Sequence, residues 1–113
     1  MSRQRAVPAR LADAAPIFAA LGDATRLRIV ARLCDDGPSS IVRLTEGARI
    51  SRQAITKHLR ALEGVGLVRS GRNGRERIWE LQTKRLADVR HYLDQISMQW
   101  DDALARLRTL VES

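Results

Sequence analysis

Between Ile50 and Val65, side chains that bond well to anions and to base edges recur at helical spacing. Gln53, Thr56, Lys57 and Arg60 lie three, one and three residues apart, with Arg52 just ahead of them. At about 3.6 residues per turn those offsets fall on one face of a helix. The opposite face is apolar and carries Ala54, Ile55, Leu59 and Leu62. Guanidinium and ammonium groups neutralise phosphates; a glutamine amide matches an adenine edge, and arginine or lysine matches guanine. Ser51, directly before the helix, is a strong N-cap. His58 sits inside the same helix beside Lys57, where a phosphate contact and plain packing at the helix edge are both open to it.

A second basic group follows. Asn73-Gly74 separates two short β-like runs, Leu67–Ser70 and Arg77–Leu81, and predicts a tight hairpin because both residues accept positive φ. Arg72, Asn73, Arg75 and Arg77 surround the turn, which suits a strand pair lying along a sugar-phosphate backbone. Trp79 and Leu81 fall on one side of the second strand and are expected to pack it onto the helices. Residues 49–77 hold eight lysines and arginines against two glutamates, whereas the 113-residue chain as a whole carries +7. The basic excess is therefore concentrated in one mid-chain segment, and it points to a polyanionic partner.

Elements on either side must position these groups. Residues 1–10 read as a flexible basic tail, leaving 11–113 as a single domain. Asp13 is expected to cap a helix bearing Ile17, Phe18 and Leu21, with Pro16 in its first turn. Asp23 then caps a second helix, Ala24 to about Asp35, whose apolar side is read as Leu27, Val30, Ala31 and Cys34. A short helix with Ile41, Leu44, Ala48 and Ile50 on its apolar side precedes the polar-striped one. Two short helices joined by a tight turn, followed by a hairpin, describe a helix-turn-helix with a β-wing, so the expected fold is mainly α with a small β-hairpin wing. The last segment, about Lys84 to Glu112, contains no Gly or Pro. Its residues Leu86, Val89, Leu93, Ile96, Trp100, Ala103, Leu107 and Leu110 form an unbroken heptad seam. A helix that long exceeds what one small domain can cover. The seam is expected to form a dimer interface, helped by Ile17, Phe18 and Leu21.

Other chemistry is poorly supplied. Cys34 cannot form an intramolecular disulfide, which argues for a reducing, cytoplasmic setting, and its spacing suggests a small buried hydrophobe rather than a redox switch. His91 with Asp88 and Asp94 offers half of an interchain metal site, although a solvated polar face explains the trio more simply. Trp79 and Trp100 suit packing better than ligand stacking. No nucleophile–base pair, phosphate-cradling glycine loop or paired carboxylate is evident, so the chain reads as a non-enzyme without a cofactor. No apolar run approaches a membrane span.

The stretches "FAALGDATRLRIVARL", "ISRQAITKHLRALEGVGLV" and "GRNGRERIWEL" resemble the arsenic-repressor (ArsR) family of winged helix-turn-helix transcriptional regulators. The resemblance runs from about Ile17 to Leu81. The terminal "YLDQISMQWDDALARLRTLVE" is similar to the long last helix of a branch without metal ligands. The resemblance implies a dimer of winged helices whose Arg52–Val65 helix enters the DNA major groove. Two departures stand out. Arg49 occupies a turn position where the family usually has Gly, leaving either Gly47 to take the unusual backbone conformation or Arg49 strained. Ser40 and Val42 stand where metal-sensing members carry a Cys-x-Cys pair.

Residues and resemblance together lead to the expectation of a homodimeric, sequence-specific repressor that is metal-independent and reads a roughly palindromic operator in double-stranded DNA. Room is left for a small-molecule effector. The alternatives are a nonspecific nucleic-acid-binding protein, a module docking a protein partner through its long helix, and a metal-responsive repressor using the His91 region.

Overall fold

A computed structural model describes the backbone of residues 6–112 and the side chains of residues 12–112. Five helices and three strands follow one another: α1 (Ala6–Leu21), α2 (Ala24–Asp36), β1 (Ser39–Ser40), α3 (Ile41–Thr45), α4 (Arg52–Gly64), β2 (Val68–Asn73), β3 (Glu76–Leu81) and α5 (Thr83–Glu112). The strands form one antiparallel sheet in the order β1-β3-β2. This is a winged helix-turn-helix with a long terminal helix.

Caps fix where the helices begin and end. Asp23 accepts from the backbone N–H of Thr25 (2.8 Å) and of Arg26 (3.1 Å) at the start of α2. Ser51 accepts from Ala54 at 3.1 Å at the start of α4. Each replaces an intrahelical bond that the first turn cannot make. The far end of α4 closes in a Schellman arrangement: Gly66 donates to Glu63 (2.9 Å) and Leu67 to Leu62 (3.0 Å), with Gly66 at φ +81°. Arg85 of α5 packs beside Gly66, and its Nε donates to the Val65 carbonyl at 3.0 Å. The angle between α4 and the wing is thus set by backbone bonds at Gly66 and held by an arginine from α5.

The core gathers Ile17 of α1, Ile29 and Leu33 of α2, Leu44 of α3, and Ile55, Leu59 and Leu62 of α4 around Leu67, Val68 and Trp79. Trp79 is fully buried, as expected of a wing-to-helix anchor. Its register partners, Ser39 on β1 and Ser70 on β2, flank it across the sheet.

Several expectations need correction. The first helix begins at Ala6, so residues 6–10 are helical, while residues 1–5 of the expected tail lie outside the described residues. Asp13 is consequently an exposed mid-helix residue and not a cap. Pro16 sits in the helix interior; it is exposed, and the carbonyl it leaves unpaired belongs to exposed Ala12, where water can satisfy it. On α2 the buried side is Ile29 and Leu33, whereas Leu27 is 51% exposed and Cys34 is exposed. The reading of Cys34 as a core residue therefore fails. β1 was not anticipated: a two-residue strand of serines carries no hydrophobic alternation.

The wing turn also differs. Asn73 pairs with Glu76, so the two loop residues are Gly74 and Arg75, and only Gly74 has positive φ (+67°). Positive φ confined to the first loop residue is the pattern of a II′ turn, which demands glycine there and nothing special of Asn73. In the turn ahead of α4, Gly47 takes the left-handed conformation at φ +74° and Arg49 has negative φ. Arg49 is unstrained.

Candidate nucleic-acid interface

Helix α4 buries Ile55, Leu59 and Leu62 and turns its other side outward. Arg52, Gln53, Lys57 and Arg60 are all exposed there, as the spacing predicts. Thr56 lies among them, half-buried, and its hydroxyl donates to the Arg52 carbonyl at 2.8 Å. With its proton committed to the helix, Thr56 can offer a base only an acceptor and a methyl group. Ser51 is exposed, but its oxygen serves the helix cap.

His58 belongs to a different edge. It is half-buried, and its Nδ1 accepts from Arg26 Nε of α2 at 3.2 Å. Arg26 also donates to the Ala20 carbonyl at 3.3 Å, tying the end of α1 to α4. The carboxyl of Asp23 is held below the ordinary aspartate range, chiefly by the Arg26 backbone N–H; partial burial opposes this, and the Thr25 N–H and the nearby charge of Arg26 assist it. The Arg26 bond occupies Nδ1 of His58 and supports packing at the helix edge over a phosphate contact. Arg26 was missed in the sequence because it lies 32 residues from its partner and no local pattern links them.

The wing sorts its charges by face. Residues directly opposite on paired strands share a face. Val68–Leu81, Ser70–Trp79 and Arg72–Arg77 make one face, so the side that is buried near the helices ends in two arginines at the tip. Arg69–Glu80 and Asn73–Glu76 lie on the other, where Arg69 Nε meets Glu80 Oε1 at 2.6 Å. Arg72, Arg75 and Arg77 are exposed, and no ion pair engages them among the described residues. The wing joins α4 through the Leu67–Leu62 bond, so helix stripe and arginine tip belong to one continuous unit.

The seam on α5 divides. Val89 is buried and Leu86 half-buried against the chain's own core. Ile96 and Ala103 are half-buried, while Leu93, Trp100, Leu107 and Leu110 are exposed. Ile17 is wholly buried in its own core and has no surface left for an interface; Phe18 and Leu21 are half-buried. Among the described residues no group of three His, Cys, Asp or Glu side chains converges on a metal site. Among the described residues no helix is long and apolar enough to cross a membrane.

An exposed cationic and amide-bearing helix, capped by serine and followed by an arginine-tipped hairpin, defines a DNA-binding winged helix-turn-helix. Known proteins agree. Residues 21–71 match the model of a helix-turn-helix domain family. The HTH-type transcriptional regulator Rv2034 of Mycobacterium tuberculosis is 35% identical over 94 residues, covering 83% of this chain and 84% of the relative. The structure of an ArsR-like transcriptional regulator from Rhodococcus sp. RHA1 superposes with a TM-score of 0.74 at 37% identity, covering 88% of this chain and 93% of that one. The homodimeric winged helix-turn-helix DNA-binding domain of Mb0332 from Mycobacterium bovis shares the fold, with a TM-score of 0.65 at 19% identity over 88% of this chain and 91% of that one. The chain belongs to the ArsR-like family of HTH-type transcriptional regulators. It is a DNA-binding regulator and not an enzyme.

Proposed function

We propose that the protein acts as a homodimeric repressor that reads a roughly palindromic operator without a metal effector. The observation that carries this reading is the combination, in one unit, of the exposed α4 stripe and the Arg72–Arg77 wing tip. Arginines of the wing and of the helix ends supply phosphate neutralisation and the salt-dependent part of affinity. Arg52, Gln53, Thr56 and Lys57 read base edges, with Arg60 and Asn73 at the margins of the contact. A dimer doubles these contacts on two half-sites, which makes operator symmetry follow from protein symmetry.

Metal independence is supported by Ser40 and Val42. Ser40 Oγ accepts the Arg43 N–H at 3.3 Å as the cap of α3, and half-exposed Val42 offers no donor, so neither side chain can act as a thiolate ligand. Repression follows where the occupied operator overlaps a promoter.

Competition separates this reading from nonspecific binding. Operator fragments recovered by selection from random duplexes are expected to stay bound in a large excess of random DNA, with a specificity ratio of about 10³ or more. Equal competition by both would leave a nonspecific nucleic-acid binder. Release by zinc, abolished in His91→Ala, would install the metal-responsive reading instead.

A further inference from the structure

Beside the helix-turn-helix, a cavity of about 310 Å³ opens between α2, the α3–α4 turn and the start of α4. Part of its wall is apolar: half-buried Ile50 and exposed Ala48 offer accessible surface, backed by Ile29, Leu44 and Ile55, which are each at least 95% buried. Three arginines, Arg28, Arg32 and Arg49, line the same space, and Glu46 is the one carboxylate among the lining residues. Arg32 is engaged, donating to the Glu46 carbonyl at 2.7 Å and standing 3.6 Å from Asp36. Arg28 and Arg49 are exposed and make no ion pair among the described residues.

Two features together specify an occupant. The free guanidinium groups select an anion, because each can give a charge-assisted, bidentate hydrogen bond. The accessible apolar wall at Ile50 and Ala48 selects an apolar body, since a bare phosphate gains nothing from covering it. The volume lies at the small end of ligand sites, roughly 300–1,000 Å³, and suits one ring or a short chain. We propose that this cavity binds a small organic acid, its carboxylate on Arg28 and Arg49 and its apolar body against Ile50 and Ala48. An acid seated there abuts the Arg32–Glu46 tether and Gly47, the turn that aims α4. Its effect on operator affinity rests on the function proposed above; binding itself does not.

The test uses the full-length protein without DNA, titrated with benzoate, benzyl alcohol and inorganic phosphate and followed by amide NMR. Benzoate is expected to shift Thr25, Ile29, Gly47, Ala48 and Ile50 saturably, with a Kd of about 1 mM or tighter. Benzyl alcohol and phosphate, each lacking one half of the match, should bind at least about tenfold more weakly. Combining Arg28→Gln with Arg49→Gln should weaken benzoate by a similar factor or more, with an unchanged melting temperature, while Arg90→Gln on α5 leaves it alone. No saturable shift with benzoate overturns the proposal. So does phosphate equal to benzoate, which would make the rim a contact for the DNA backbone. Retained benzoate binding in the double variant overturns it as well.

Discussion

Arg72 and Arg77 are register partners on the outer end of the wing, two cations facing each other with no carboxylate between them. Like charges directly opposite on paired strands destabilise a hairpin, and opposite charges help it by roughly 0.2–1 kcal/mol. The wing thus carries an unfavourable pair that a phosphate would relieve. Arg77→Glu is expected to leave stability unchanged or raise it by up to about 1 kcal/mol, while lowering DNA affinity on every sequence. Arg72→Ala with Arg75→Ala should flatten the slope of log affinity against log salt by about one unit per lost phosphate contact. Denaturant melts beside a salt titration check both. A variant equally impaired in stability and binding would place these arginines in folding instead of in DNA contact.

Gln53 tests base reading. Its side chain is exposed on the outer stripe of α4, so Gln53→Ala costs the fold little. At the selected operator the expected loss is about 1–3 kcal/mol, with little change on random duplex. Equal losses on both would reduce Gln53 to a phosphate contact.

His58→Ala separates the helix edge from the DNA face. The variant loses the Arg26 Nε bond and should destabilise the fold by about 0.5–1.5 kcal/mol. Because His58 is turned toward α2, the salt slope should stay at the wild-type value. A slope reduced by about one unit would restore the phosphate contact that the sequence left open.

These contrasts mark where the sequence was legible. The α4 stripe, the Ser51 cap and the hairpin were readable because each depends on neighbours within a few residues. The buried side of α2 was not. Ile29 and Leu33 beside the Leu27–Val30–Ala31–Cys34 set leave apolar residues on most of that helix, so periodicity allows two adjoining faces. The choice falls to α4 and β3, which pack against α2 and lie far away in sequence. β1 escaped notice for the same reason: Ser39 and Ser40 are strand only because β3 runs beside them. The start of α1 was hidden by Pro16, whose cost depends on whether its side of the helix faces water.

Asp23 gives a pH signature. Its folded-state pKa lies below the unfolded value, because the charged carboxylate accepts the Arg26 and Thr25 N–H groups. Its contribution is therefore fully present above the unfolded pKa of about 3.9 and is lost as pH falls through the folded value. Asp23→Ala should melt below wild type at neutral pH, with the gap closing only below about pH 4. A gap that persists unchanged in stronger acid would mean the charge plays no part in the cap.

The dimer rests on what α5 leaves uncovered. From Ser97 to Glu112 only Ala103 is even half-buried, and the exposed side chains include Trp100 (65%), Leu107 (58%) and Leu110 (73%). Leu104 and Val111 widen the apolar strip beside the heptad seam. A helix is stable in water mainly through packing of its apolar face, so this half of α5 requires a partner surface. In the proposed homodimer a second copy would supply one with matching heptads, and obligate interfaces of this kind often exceed about 2,000 Å² in total. Ile17 and Val89 contribute nothing across it, being buried in their own chain. Trp100→Glu would bury an unpaired charge in the interface and is expected to give monomers with less helix by circular dichroism. Since Trp100 touches none of the buried core of the winged domain, the Trp79 anchor should remain shielded from quenchers in that variant. Operator affinity should fall steeply, because a lone winged helix keeps only one half-site. Sedimentation of the wild type at micromolar concentration decides the matter: a monomer there removes the dimer, and the symmetric operator goes with it.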